Sequence, residues 1–365
     1  MAESAQGERT RMTTTHDVAL LRIAAQRLAG PACETPADAV GWMMAMQGQD
    51  LPGAITSVAL RTAGRSRDDV VGAFDTGRVV RTWPMRGTLH VVAARDLHWM
   101  VSLLSARPLV AMARRRTQLG LADEHVTRAR DLLVADLAGG GARMRVEIMA
   151  LWEAAGLQVT GGRGYHLLAL LAHERVLCLG PLRDKEQAFV LVEDWIGISA
   201  PVERAAALAR LAYGYLCSHG PATVQDLARW AGLSVTDVRA GIGAVADRLD
   251  RFDVDGDTYY LDPATPDLLS EHRAAVCDVH LLPGFDELVL GYADRSMTVP
   301  AEHADRIVPG GNGVFRPTVV VDGVVRGTWR AAGTGTRRHL ETEPFTRWAP
   351  RIAAALSERF TALPR

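Results

Sequence analysis

The part of this chain whose residue types and spacing invite chemistry is Gln47-Gly48-Gln49-Asp50. On a helix, residues two apart do not share a face. Here an apolar helix ending near Met46 meets Gly48, and the next helix opens beyond Asp50 with Pro52 in its first turn. The tetrapeptide therefore reads as an extended connector, with Gln47 and Gln49 projecting to the same side. Two neutral amides side by side can donate to a water and accept from it, and so hold it in place. Asp50 could assist electrostatically if it is not committed to capping the following helix. The same residues also suit a plain polar loop with two solvated glutamines.

Other familiar chemistry is missing. There is no His-Glu-x-x-His or Cys-x-x-Cys spacing for a metal and no Gly-x-Ser-x-Gly elbow. The Gly161–Gly164 run lies between helices, where it does not cradle a phosphate. The 11 His are scattered, and Lys185 is the only lysine. Neither a metal nor a cofactor is expected. The 4 Cys lie far apart among apolar neighbours, which suggests buried thiols in a reducing cytoplasm.

Cationic groups are unevenly spread around a formal net charge of −1. Arg61 to Arg116 holds 11 Arg against 4 Asp, and Arg306 to Arg365 holds 10 Arg against 4 acids. Between them, Gly241 to Asp305 carries 14 acids against 4 Arg. Arg61, Arg65, Arg78, Arg81 and Arg86, followed by Arg114, Arg115 and Arg116, are candidates for DNA phosphate contacts, which position a duplex without reading its sequence. For Arg86 a buried structural role fits as well. A charge run is also often no more than a solvated face. Trp83, Trp99 and Trp329 read as core.

These groups need a scaffold. The 365 residues, 48% hydrophobic and 23% charged, suit two or three globular units and exclude a disordered or collagenous chain. No apolar run reaches membrane-spanning length. Residues 1–16 read as a loose tail. Periodicity places helices over Val18–Leu28, Pro36–Met46 after Thr35, Leu51–Ala63 with Asp50 as N-cap, and Arg67–Phe74. Strands over Val79–Trp83 and Thr88–Ala93 follow, joined around Arg86-Gly87. Helices closed by a hairpin make a winged helix. The pattern recurs in Val146–Val192 and, most completely, in Val202–Leu261. Four short strand-like runs follow, His280–Leu282, Glu287–Leu290, Thr318–Val321 and Val324–Thr328, then a helix over Trp348–Phe360. The expected fold is α+β, mostly α: winged-helix units over 17–116, 117–200 and 201–263, then a β-rich domain over 264–365.

Four segments carry a resemblance: Gln47-Gly-Gln-Asp50, Arg81-Thr-Trp-Pro-Met-Arg-Gly-Thr-Leu-His90, Leu282-Pro-Gly-Phe-Asp-Glu-Leu-Val-Leu-Gly-Tyr-Ala-Asp-Arg295 and Asp322-Gly-Val-Val-Arg-Gly-Thr-Trp329. In this order they resemble the AlkZ/YcaQ-type crosslink-repair DNA glycosylases over nearly the whole chain. The resemblance implies three tandem winged helices and a β domain in a C shape around double-stranded DNA. It implies excision of bulky N7-alkylpurine adducts, including crosslink unhooking, often as self-resistance to a DNA-alkylating antibiotic. Gln47 and Gln49 match the family's catalytic Gln-x-Gln. Gly48 replaces a larger apolar residue there, a change expected to loosen the motif's packing. A minor-groove hairpin would correspond to Arg306–Arg316, with Asn312 at its tip and Arg316 at its end.

An N7-alkylated purine is already cationic, so it departs without a strong general acid. What remains is to stabilise an oxocarbenium-like sugar and deliver water. Schiff-base chemistry would need an amine, and Lys185 lies far along the chain from the glutamines. The reading is a monofunctional, monomeric, cytoplasmic (nucleoid-associated) glycosylase. The alternatives are a winged-helix transcriptional regulator and a lesion-shielding protein without activity.

Overall fold

A computed structural model describes residues 14–365. The chain opens with α1 (Thr15–Ala25), α2 (Pro36–Trp42), the two-residue strand β1 (Met46–Gln47) and α3 (Leu51–Leu60). Next come α4 (Arg67–Asp75) and the hairpin of β2 (Val79–Met85) and β3 (Thr88–Ala93). Five helices follow: α5 (Ala94–Leu104), α6 (Ala106–Gln118), α7 (Asp123–Leu137), α8 (Arg145–Ala154) and α9 (Arg163–His173). A second hairpin, β4 (Leu177–Arg183) and β5 (Glu186–Leu191), leads through α10 (Val192–Ile196) to α11 (Arg204–His219). Then α12 (Val224–Ala231) and α13 (Val235–Gly243) precede the hairpin of β6 (Asp250–Val254) and β7 (Asp257–Leu261). The remainder is α14 (Thr265–Val276), β8 (Val279–Leu282), α15 (Glu287–Leu290), α16 (Ala304–Ile307), β9 (Thr318–Val321), β10 (Val324–Ala332), β11 (His339–Pro344) and α17 (Pro350–Thr361). The fold class is α+β.

Local chemistry accounts for many boundaries. Thr14 caps α1 by accepting from the Asp17 amide at 3.2 Å, while the Asp17 carboxylate accepts from the Thr14 amide at 3.3 Å. Residues 1–13 of the expected tail lie outside the described residues; Thr15 and His16 belong to α1 instead. Thr223 and Asp226 form the same reciprocal cap on α12, and Ser234 caps α13. The β6–β7 connection is the two residues Asp255 and Gly256, at φ +51° and +90°, because the turn that matches strand twist needs positive φ at both positions. Asp257 is therefore a strand residue, paired with Val254.

The second helix ends at Trp42, and Met46, expected at its end, lies in β1 instead. Glu287–Leu290 is a helical turn, not a strand: the Asp286 carboxylate accepts from the Leu288 amide at 3.0 Å and starts the helix.

The chain forms two compact units, each discontinuous in sequence. One consists of residues up to Thr35, Asp50–Arg67 and Leu208–Arg365. In it, α1 packs on α14 and α17 on β8, against a four-stranded antiparallel sheet ordered β11-β10-β9-β8. Its core joins Leu20, Leu21 and Ile23 to Leu281, Val319, Val320 and Leu356. The α11–α12–α13 helices with the β6–β7 hairpin have the element order of a winged helix.

The other unit consists of Pro36–Gln49 and Asp68–Ala207. It holds a five-stranded sheet ordered β1-β3-β2-β4-β5. The two hairpins expected as separate wings are joined here through antiparallel pairing of β2 and β4, at Arg81 and Leu179. The core beneath gathers Trp83, Leu133, Trp152, Leu168 and Phe189.

Candidate active site

The Gln-Gly-Gln motif occupies an edge of the five-stranded sheet. Gln47 pairs with His90 across β1 and β3, and the Gly48 amide donates to the Leu89 carbonyl at 2.8 Å. A Cβ on Gly48 would stand 3.2 Å from the Cα and carbonyl carbon of His90. Glycine thus lets the connector lie close against β3, where a larger residue would press on the His90 backbone. His90 is itself pinned: its Nδ1 meets the Thr88 carbonyl at 2.9 Å and its Nε2 meets an Arg86 Nη2 at 3.0 Å. A guanidinium only donates, so Nε2 accepts and Nδ1 carries the ring proton.

The two glutamines are not equivalent. Gln47 is buried, and its Oε1 accepts from the amides of Gly48 (2.8 Å) and Gln49 (3.1 Å). That uses both acceptor positions of the oxygen. Gln49 is exposed. The two amides expected on one side differ in setting: Gln47 Oε1 shapes the loop, and Gln49 faces solvent. The carbonyls of the motif are also held: Arg81 donates through Nε to the Gly48 oxygen at 2.6 Å and through Nη2 to the Gln49 oxygen at 3.4 Å.

Asp50 stands at the N-cap of α3 but makes no side-chain capping hydrogen bond. Its carboxylate lies over the first turn, where a Cβ on Gly53 would come within 2.5 Å of Oδ2. It half-faces a cleft of about 460 Å³ lined also by Arg67, Trp329 and Arg330. The condition for an electrostatic role, that Asp50 not be tied up in capping, is met.

A family model for AlkZ-like DNA glycosylases matches residues 40–365. The chain belongs to that family. Over 315 residues it is 29% identical to an interstrand DNA cross-link repair glycosylase of Streptomyces sahachiroi, covering 80% of this chain and 81% of that protein. The solved structure of the Streptomyces sahachiroi DNA glycosylase AlkZ aligns with a TM-score of 0.73 at 26% identity, over 96% of this chain and 97% of that one. Family membership makes the protein a DNA glycosylase and sets aside the reading of it as a non-enzymatic regulator or shield.

In this AlkZ-like glycosylase the arginines named from sequence have different situations. Arg61 is a correction: it is wholly buried and cannot meet a phosphate. Its Nη1 and Nη2 donate to the two oxygens of Asp286 at 2.9 and 3.0 Å, and Nη2 also reaches Gln26 Oε1 at 2.7 Å. Arg81 is half-buried and directs three of its five N–H donors to the Gly48 and Gln49 carbonyls and, at 3.3 Å, to Gln187 Oε1. Arg86 is half-buried against His90.

Arg65, Arg78, Arg114 and Arg115 are exposed. Although the Arg65 residue is exposed, partial burial of its charged group and the nearby Arg359 charge hold it below the ordinary arginine value. Arg115 donates to Gln118, whereas Arg116 is half-buried and paired with Asp123 at 2.7 Å. Arg306–Arg316 is a turn-rich loop without strands, closed where the Arg316 amide donates to the Ile307 carbonyl at 3.0 Å. Asn312 is exposed but uses Oδ1 to hold the Val314 amide, and exposed Arg316 lies 3.7 Å from Glu343.

Sequence reasoning missed Gln187 and Asp286. Nothing in local spacing marks Gln187. Asp286-Glu287 did carry a signal: two acids inside the apolar run Leu281–Leu290 must be paired if buried. Glu287 is likewise buried, accepting from Trp230 Nε1 at 3.1 Å and lying 3.6 Å from His219. Among the described residues no group of three or more His, Cys, Asp or Glu could hold a metal, and no helix is long and apolar enough to cross a membrane.

Proposed function

We propose that this glycosylase hydrolyses the N-glycosidic bond of bulky N7-alkylpurine adducts in duplex DNA, interstrand crosslinks included, and acts as a monomer without a covalent intermediate. The observation that carries the reading is the solvent-facing Gln49 amide on a backbone held by Gln47, Arg81 and β3. A neutral amide suits a leaving group that already bears positive charge, because it has a water to orient and no strong acid to supply. Asp50 contributes electrostatically to the developing positive sugar. We read the architecture as three winged-helix units, the first two sharing one sheet, followed by a β-rich domain. The relative named as a cross-link repair glycosylase supports the crosslink substrate, and self-resistance to an alkylating natural product is the matching role.

Lys185 is the alternative nucleophile to test. It is exposed at the β4–β5 turn, and Gln187 two residues on touches Arg81, so distance along the chain does not keep it from the motif. Incubation with a duplex carrying an N7-alkylguanine should release the alkylated base and leave an intact abasic strand. Borohydride should trap no enzyme–DNA adduct, and Lys185→Ala should excise at the parent rate. No base release would overturn the substrate assignment. A trapped adduct that vanishes in Lys185→Ala would replace hydrolysis with Schiff-base chemistry.

Phosphate contacts are proposed for Arg65, Arg78 and the exposed face of α6, with Asn312 and Arg316 reaching the minor groove. Replacing Arg114, Arg115 and Arg116 together by alanine should make the salt dependence of DNA affinity shallower, by about 0.9 in log–log slope for each lost phosphate contact. Most of the change should come from Arg114 and Arg115, because Arg116 is already paired. Binding should weaken equally on unrelated duplexes. An unchanged slope would remove α6 from the DNA surface.

A further inference from the structure

We infer that Arg81 is a positioning residue for excision: its guanidinium fixes the Gly48 and Gln49 carbonyls and thereby the direction of the Gln49 amide. The inference rests on Gln49 holding the reacting water.

The connector has few restraints of its own. β1 is only two residues long, and at the sheet edge it pairs on one side only. The Gly48 amide is satisfied by β3 and by Gln47, but its carbonyl accepts from Arg81 Nε, at the short distance of a charge-assisted bond. Gln49 is tied through its amide to Gln47 and through its carbonyl to Arg81 Nη2. The guanidinium is anchored in turn. Its Nη1 donates to Oε1 of buried Gln187, and Gln187 Nε2 donates to the Gly180 carbonyl at 2.9 Å. One planar, five-donor group thus ties the connector to the second hairpin, a geometry that a lysine ammonium cannot reproduce. Without it the buried Gly48 carbonyl lacks this donor, and the peptide leading to Gln49 can rotate toward water.

A displacement of about 1 Å in a positioned group costs about 10²-fold in rate. The test is single-turnover base release from a lesion duplex at saturating enzyme, with affinity measured separately. Arg81→Met should lower the maximal rate about 10²-fold with little change in Kd, and Arg81→Lys, keeping one donor, should fall between. Because Arg81 acts through Gln49, adding Arg81→Met to Gln49→Ala should slow excision little further. A parental maximal rate in Arg81→Met, or a purely weaker Kd, overturns the inference and returns Arg81 to phosphate binding. Fully additive losses in the double variant overturn it too. If Arg81→Met does not fold, Arg81→Lys decides, a parental maximal rate again being fatal. Parental excision by Gln49→Ala would instead sink the underlying assignment of the site, so the two failures are separable.

Discussion

Gln49→Ala should slow release of an N7-alkylated base by roughly 10²–10⁴-fold, the usual range for a positioned proton-transfer group, while leaving affinity for lesion DNA unchanged. Gln49 is the exposed member of the pair, and its amide can both donate to a water and accept from it. Alanine removes both functions without touching a buried contact, so the loss should fall on the maximal rate. Gln47→Ala should be at least as damaging for a different reason. It deletes the Oε1 that accepts from the Gly48 and Gln49 amides, and so releases the loop that aims Gln49. Gln47→Glu keeps that acceptor and loses the amide donors, which separates loop shaping from donation. Single-turnover excision assays with parallel binding measurements distinguish these outcomes. If Gln47→Ala and Gln49→Ala both excise at the parent rate, the water-positioning site lies elsewhere.

Arg61→Met should destabilise the fold by about 3–5 kcal/mol, the typical cost of stranding one partner of a buried ion pair. It should leave the salt dependence of DNA binding as it was. Burial would raise the Asp286 carboxyl, but the Arg61 charge and hydrogen bonds, with Ser57 and the Leu288 amide, hold it below the ordinary aspartate value. A carboxyl lowered in the folded state contributes stability above its unfolded value of about 3.9, and that contribution is lost as pH falls through the folded value. Without Arg61 the balance reverses. Burial then dominates, the carboxyl rises above its unfolded value, and the variant should lose stability as pH increases from about 4 toward neutrality. Adding Asp286→Leu should recover much of the loss, since no charge is left buried. Urea unfolding across pH tests each point. A stable Arg61→Met with a shallower salt slope would restore Arg61 to the DNA surface.

Local elements were legible in the sequence because their causes are local. The start of α3 at Asp50, the β2–β3 turn at Arg86-Gly87 and the extended Gln-Gly-Gln connector each depend on a few neighbouring residues. The motif that carries the family resemblance was legible for the same reason: it is a contiguous string. Glu287–Leu290 misled, since a four-residue apolar run has no periodicity that separates strand from buried helix.

Burial and partnership were decided by the tertiary fold. Arg61 and Arg65 are alike in spacing and charge, yet one is sealed against Asp286, 225 positions away, and the other is exposed. Nothing near Gln47 or Gln49 in the chain says which will be buried; the pairing of β1 with β3 makes that choice. Arg81 became a brace because pairing of β2 with β4 brings the second hairpin into the same sheet, and with it Gln187, 106 positions further on. Backbone preferences act over a few residues, so sequence reveals them. The partner of a charged side chain is chosen by which distant segments share a core, because a buried charge persists only where another group meets it.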